Sequence, residues 1–123
     1  MFEFLKSDKN NNKNQSLSRI DFESKDQWSD LLDLSQKQHV YIFKHSSRCG
    51  VSSMVLRRFE KQVQERKETY VYLHIQGFRS ISNWIEEELG IRHESPQLIV
   101  LKNAKVLAHD SHYALLEIIP KLQ

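Results

Sequence analysis

The residues best suited to chemistry in this 123-residue chain lie at positions 43–53, FKHSSRCGVSS, which contain the only cysteine, Cys49. An apolar run at 39–44 precedes this stretch, and apolar residues recur every four positions from 51 to 63. The first pattern predicts a buried strand, and the second predicts a helix over 51–65 with one face in the core. Cys49 is therefore predicted to lie at or just before a first helical turn, where backbone N–H groups lack intrahelical partners.

Two kinds of group around Cys49 favour its thiolate over its thiol. The helix start supplies partial positive charge, and Lys44, Arg48 and a protonated His45 add full charges. Helix N-termini and nearby cations lower cysteine pKa values, and the thiolate is the attacking species in disulfide exchange. A buried cysteine acting as a small hydrophobe is the alternative, but the polar flanks favour a reactive thiol. The first-turn residues expected to support it are Gly50, Val51, Ser52 and Ser53.

Ser52 stands three positions after Cys49, where dithiol redox proteins carry a resolving cysteine. A hydroxyl cannot resolve a mixed disulfide, although it can donate a hydrogen bond to a thiolate. A plain helix-start serine is the alternative. In both cases the chemistry is monothiol: Cys49 takes a group onto its sulfur and needs an outside thiol to release it.

The elements that must position this cysteine follow from hydrophobic periodicity and capping residues. The expected order is a βαβ unit, then a hairpin and a closing helix, which is the thioredoxin fold order. It implies an α/β fold with a mixed four-stranded sheet, helices on both faces and a further N-terminal edge strand as an option. The predicted elements are strand 18–22, helix 24–35 capped by Ser24, strand 39–44, helix 51–65, strand 69–75, helix 80–90 capped by Ser82 or Asn83 and ended by Gly90, strand 97–102, a turn at 103–104, strand 105–109, and helix 111–122 capped by Ser111 and ended or kinked by Pro120.

A second part of the site is predicted at the start of strand 97–102. In thioredoxin folds a cis-proline at this place faces the reactive cysteine, so we expect the Ser95–Pro96 bond to be cis and the Ser95 backbone to be open to an extended thiol ligand. An ordinary trans-proline at a strand start is the alternative. Free N–H groups at Ser111 and His112, where the last helix begins, could bind a carboxylate.

Composition restricts the class of protein. The chain has 18 basic and 16 acidic residues and a net charge of +2. The sequence shows no cluster of basic residues of the kind that binds nucleic acid. No apolar run approaches the ~20 residues that cross a bilayer. One cysteine fits a reducing, cytoplasmic setting, and the histidines show no structural zinc spacing. We expect a mobile N-terminal arm at 1–17, rich in Asn and Lys, and one domain at 18–123.

Three stretches together resemble the monothiol bacilliredoxins of the bacillithiol system, the YtxJ-like family with a thioredoxin fold. They are FKHSSRCGVSS at 43–53, SNWIEEELGIRHESPQ at 82–97 and SHY at 111–113. The resemblance implies a cytoplasmic protein of low-GC Gram-positive bacteria that removes bacillithiol from proteins after oxidative stress. It assigns the nucleophile to Cys49 and the cis-proline to Pro96. Proline often follows the cysteine in this family, and here Gly50 does.

The resemblance also defines the expected partners and the rival functions. Bacillithiol is the expected co-substrate with no tightly bound cofactor, S-bacillithiolated proteins are the clients, and bacillithiol or a reductase is the reductant. The malate carboxylates of bacillithiol would suit the helix start at Ser111 and His112 and the basic residues Lys44 and Arg48. A non-catalytic redox sensor and an iron–sulfur carrier like monothiol glutaredoxins remain alternatives.

Overall fold

A computed structural model describes residues 18–122 of the chain. The predicted mobile arm at 1–17 lies outside the described residues. In chain order the elements are β1 (Arg19–Asp21), a 3₁₀ turn (Lys25–Gln27), α1 (Trp28–Ser35), β2 (Val40–His45), α2 (Gly50–Glu65), β3 (Tyr70–His74), α3 (Arg79–Leu89), β4 (Gln97–Lys102), β5 (Lys105–Ser111) and two 3₁₀ helices (His112–Glu117 and Ile119–Lys121).

The strands form one mixed five-stranded sheet in the order β1-β3-β2-β4-β5. β3 pairs in parallel with β1 and β2, whereas β4 is antiparallel to β2 and β5. The predicted fold class is confirmed, and the optional N-terminal strand is present as β1. Gln97 pairs with both Lys44 and Ser111, so the end of β2, the start of β4 and the end of β5 meet at one edge of the sheet.

Every residue of β2 is buried, and its side chains alternate between two packed layers. Tyr41 and Phe43 pack with α2, while Val40 and Ile42 pack with α1 and α3. The α2 layer includes Val55, Phe59, Val63, Leu98, Val100 and Leu115, and the opposite layer includes Leu31, Ile81, Ile85, Ile99 and Leu101. This alternation sends the next two residues, Lys44 and His45, to opposite faces of the sheet.

Two of the predicted helix ends are confirmed and one is wrong. The Ser24 hydroxyl accepts from the Asp26 N–H in a capping box, and Gly90 ends α3 in the left-handed conformation at φ 70°. The predicted cap of α3 at Ser82 or Asn83 is wrong, because the helix begins at Arg79 without a side-chain cap. Ser82 is buried, and its hydroxyl lies 3.0 Å from His93 Nδ1.

The predicted C-terminal helix at 111–122 is also wrong. β5 runs on to Ser111, because that residue pairs with Gln97. His112 then takes a left-handed φ of 55°, and two short 3₁₀ helices replace one continuous helix. Pro120 has no N–H to continue an α-helical ladder, and it lies in the first turn of the second 3₁₀ helix.

The predicted turn at Asn103–Ala104 joins β4 to β5, and it needs left-handed backbone at both positions. The φ angles are 56° and 61°. Ser35 holds this turn: its carbonyl accepts from the Asn103 N–H, and its hydroxyl accepts from the Ala104 N–H, both at 2.8 Å. Two-residue turns of this kind favour glycine, and Ala104 lacks its conformational freedom.

We expect Ala104→Gly to raise the free energy of unfolding by about 0.5–1 kcal/mol, because glycine adopts positive φ without the Cβ clash. Urea denaturation measures the change. Ala114→Gly is the matched control, since Ala114 is exposed in a 3₁₀ helix at ordinary φ and glycine there should destabilise. A loss of stability in Ala104→Gly equal to that in the control would contradict the prediction.

Candidate active site

Cys49 lies where the sequence predicts, as the residue that precedes the first turn of α2. Its backbone is extended, at φ −114° and ψ 116°, and its side chain is partly exposed. The Cys49 N–H donates to the Ser46 carbonyl at 3.2 Å, and its carbonyl accepts from the Ser53 N–H at 3.3 Å. The thiol makes no capping hydrogen bond to the first turn. The Cys49 sulfur is therefore free to attack a ligand that arrives from solvent.

Gly50 follows as the first residue of α2, with open space where a Cβ would stand. The extended backbone of Cys49 is also the conformation that a residue before proline prefers. The backbone thus matches what a Cys–Pro pair requires, although glycine occupies the position.

The loop between β2 and Cys49 is fixed by Gln76, a residue that sequence reasoning missed. Its Oε1 accepts from the Ser47 N–H at 2.9 Å and from the Ser47 hydroxyl at 3.2 Å, and its Nε2 donates to Ser46 Oγ at 2.9 Å. Arg48 in this loop is exposed, and its N–H donates to Ser46 Oγ at 3.3 Å. Gln76 follows β3, the parallel neighbour of β2, so the carboxyl ends of the two strands bring it to the loop. The place of Gln76 just after β3 was the feature of the sequence that could have identified it.

His45 and Ser52 form a buried pair beneath this loop. His45 Nδ1 lies 2.8 Å from Ser52 Oγ, which also accepts from the Ser46 N–H at 3.1 Å. The pKa of His45 lies below its ordinary value, chiefly because of burial and then because of His74 and Arg19. The ring is therefore neutral near pH 7, and the full charge expected from a protonated His45 is not present there.

Lys44 does not lie where its predicted role requires. Its side chain is fully buried on the face of the sheet opposite α2, with Nζ 3.4 Å from His93 Nδ1. Burial lowers the pKa of Lys44 to about 8, with Glu86 opposing the shift and Arg79 adding to it. The expected contribution of Lys44 to the thiolate and to ligand carboxylates is wrong, because the alternation of β2 turns it toward α3.

The Ser95–Pro96 bond is cis, as predicted. Pro96 is buried and precedes Gln97, the register partner of Lys44, so it lies beside the end of β2 that leads to Cys49. The predicted free N–H groups are wrong: Ser111 donates to Asp110 Oδ1 at 2.9 Å, and His112 donates to the Pro96 carbonyl at 3.0 Å. The hydrogen bond from His112 to Pro96 nevertheless joins the start of the first 3₁₀ helix to the cis-proline.

An exposed apolar pair joins the second turn of α2, which carries Met54, to the first of the two 3₁₀ helices, which carries Tyr113. The Tyr113 hydroxyl contacts Met54 Sδ at 3.7 Å, and the two residues are 50% and 39% exposed. Large exposed hydrophobic side chains often mark a surface that receives another molecule. Sequence periodicity assigned neither residue to the site.

Within residues 18–122, no three His, Cys, Asp or Glu side chains are grouped to hold a metal ion. No helix in the same range has the length and apolarity to cross a membrane.

A partly exposed cysteine at a helix start after the second strand, with a cis-proline at the start of the strand that pairs with that second strand, defines a thiol-disulfide oxidoreductase of the thioredoxin fold. Residues 20–117 match the family model described as monothiol bacilliredoxin BrxC. The chain therefore belongs to the monothiol bacilliredoxin family.

Solved structures agree on the fold. A proposed oxidoreductase with a thioredoxin fold is 26% identical, with a TM-score of 0.73 over 84% of this chain and 94% of that chain. Thioredoxin from Trypanosoma brucei brucei is 16% identical, with a TM-score of 0.69 over 89% of this chain and 91% of that chain. Thioredoxin NaTrxh from Nicotiana alata is 15% identical, with a TM-score of 0.67 over 89% and 93%.

The buried Lys44 gives the stability of the protein a specific pH dependence. Its pKa falls from 10.5 to about 8 on folding. Between these values the unfolded state binds more protons, so the free energy of unfolding rises with pH. Below pH 8 the ammonium is charged in both states and the burial penalty is present in full.

We expect the free energy of unfolding of the wild type, minus that of Lys44→Met, to increase by about 1–3 kcal/mol between pH 7 and pH 10. Urea denaturation of both proteins at each pH gives this difference. Lys61→Met, at an exposed position of α2, is the control and should give a flat difference. An equally flat result for Lys44→Met would show that the ammonium is not desolvated by folding.

Proposed function

We propose that this protein removes bacillithiol from S-bacillithiolated client proteins in the cytoplasm, with Cys49 as the nucleophile. The observation that carries the proposal is an accessible thiol at the start of α2, with Ser52 where a resolving cysteine would stand. Family membership supports the choice of bacillithiol as the small thiol.

In the first step the Cys49 thiolate attacks the bacillithiol sulfur of the client's mixed disulfide. The bond between the bacillithiol sulfur and the client sulfur breaks, and the client cysteine leaves as a thiolate that takes a proton from water. Cys49 then carries bacillithiol as its own mixed disulfide.

In the second step an outside thiol attacks the bacillithiol sulfur bound to Cys49. The outside thiol loses its proton to solvent, a new disulfide forms, and Cys49 leaves as a thiolate. Free bacillithiol or the thiol of a reductase partner fills this role. Because Ser52 provides no thiol, the chain cannot complete this step alone.

The surface around Cys49 offers contacts for both parts of such a substrate. Arg48 is exposed next to the thiol and suits a malate carboxylate of bacillithiol. Met54 and Tyr113 form the apolar contact for a client segment. The Ser95 backbone, before the cis-proline, completes the proposed binding surface.

We expect Cys49→Ser to abolish turnover of a bacillithiolated client, whereas the wild type releases several equivalents of client thiol in the presence of bacillithiol and its reductant. Mass spectrometry of the client measures the release. A redox sensor would instead accumulate one equivalent of mixed disulfide without turnover. Visible absorbance after anaerobic loading with iron and sulfide would favour the iron–sulfur carrier.

The missing resolving thiol allows a sharper version of this test. We expect Ser52→Cys, loaded with bacillithiol on Cys49, to release one equivalent of bacillithiol with no outside thiol, because a 49–52 disulfide can then form. Ser80→Cys, which adds an exposed thiol at α3 away from Cys49, is the matched control and should retain the bacillithiol. Retention by both variants would contradict the monothiol explanation.

A further inference from the structure

One row of paired side chains in the sheet changes from apolar to polar at the end that leads to Cys49. β2 and β4 place three register pairs on the face that packs against α1 and α3: Val40–Leu101, Ile42–Ile99 and Lys44–Gln97. The first two pairs belong to the apolar core on this face. Lys44 and Gln97, the polar pair, are equally enclosed, at 0% and 2% exposure.

The polar pair is unfavourable for stability at this place in the core. Burial lowers the pKa of Lys44 to about 8, because the charged ammonium loses solvation. Gln97 Oε1 is buried, and no group among residues 18–122 donates a hydrogen bond to it. Apolar side chains at both positions would avoid these two penalties. Native proteins keep such exceptions to core packing mainly at functional sites, so the polar pair indicates a role beyond stability.

Both members of the polar pair contact the same segment, residues 92–96, which precedes β4. Lys44 Nζ lies 3.4 Å from His93 Nδ1, and Gln97 Nε2 donates to the Arg92 carbonyl at 2.9 Å. An ammonium can only donate, so His93 Nδ1 is the acceptor and the ring hydrogen is at Nε2. Burial, and then the charge of Lys44, lowers the pKa of His93, which keeps the ring neutral near pH 7. The polar pair therefore joins two consecutive residues of the segment to the sheet.

Contacts from α3 and from the residue after β5 complete the attachment of this segment. Glu86 Oε2 accepts from the His93 N–H at 3.1 Å, and the Ser82 hydroxyl lies 3.0 Å from His93 Nδ1. The His112 N–H donates to the Pro96 carbonyl at 3.0 Å. His93 is thus held between α3 and the sheet, and Pro96 is held at the other end of the segment. The polar pair provides the sheet side of this attachment.

We propose that Lys44 and Gln97 are positioning residues, which hold segment 92–96 so that the Ser95 backbone is placed to bind a client. This inference rests on the proposed function, in which Ser95 is part of the binding surface. Ser95 lies between His93 and Pro96, the two residues of the segment that the contacts above fix. Removing either polar side chain leaves the α3 contacts of His93 in place and removes one connection of the segment to the sheet.

Lys44→Met and Gln97→Met test this role separately, so that one variant still gives a result where the other fails to fold. Methionine keeps an unbranched side chain and removes the polar atoms. Ile42→Val and Ile99→Val are the matched controls, because they alter the neighbouring apolar pair of the same row. The rate of bacillithiol removal against client concentration gives KM and kcat. Hydrogen exchange of the His93 N–H reports how firmly the segment is held, without any client.

We expect both methionine variants to raise KM by about fivefold to tenfold with little change in kcat, because a misplaced Ser95 backbone loses about one hydrogen bond to the client. The His93 N–H should exchange about tenfold faster than in the wild type, since the segment opens locally with one connection fewer. Alkylation of Cys49 by iodoacetamide should keep its wild-type rate. The isoleucine controls should lower the free energy of unfolding and leave KM and the His93 exchange unchanged.

A wild-type KM in both methionine variants, or an equal rise of KM in the isoleucine controls, would overturn the positioning role. Wild-type exchange of the His93 N–H in both methionine variants would overturn it as well. All three results leave the proposed removal of bacillithiol intact, since the wild type still turns over its client. A wild type that turns over no bacillithiolated client, while both methionine variants exchange faster at His93, would instead remove the proposed function and leave the attachment of the segment intact.

Discussion

The packing of α2 on β2 determines where the reactive sulfur lies. Phe43 of β2 contacts Phe59 of α2 with ring centroids 5.0 Å apart, and Tyr41 contacts the same ring edge-on at 6.2 Å. Each buried ring contributes roughly 1.5–3 kcal/mol from burial alone. These contacts set the direction of α2, so that its N-terminus meets the carboxyl end of β2. Cys49 occupies that junction, as the residue that precedes the first turn of the helix.

The same strand separates two polar systems at its carboxyl end. His45 enters the α2 layer and meets Ser52, while Lys44 enters the opposite layer and meets His93. The two side chains are adjacent in the chain but lie on opposite faces of the sheet. One system holds the Ser46 end of the loop that leads to Cys49, and the other joins the end of β2 to the segment that leads into the cis-proline. The site is therefore supported from both faces of one strand.

Sequence reasoning reached the order of elements and the position of Cys49 from local patterns, and it reached the cis-proline from the place of Ser95–Pro96 in the thioredoxin fold order. Periodicity separated β2 from α2, and Gly90 marked a helix end by its conformational freedom. The direction of Lys44 depended on the exact phase of β2, which an apolar run buried on both faces does not reveal. The role of Gln76 depended on its side chain reaching Ser46 and Ser47 from the segment after β3, which the predicted βαβ order alone does not give. The hydrogen bond of His112 to Pro96 required the pairing of β4 with β5, and it uses an N–H that local reasoning left free.

Both borders of the sheet resist unwanted strand pairing. β1 has only three residues, and two of them are the charged Arg19 and Asp21. β5 is longer, but it carries exposed Lys105, His109 and Asp110, and a bulge opposite Val100 interrupts its pairing with β4. Charged, short or irregular borders are poor templates for aggregation. The sheet can thus bring its thiol to another molecule without offering a border strand that pairs with it.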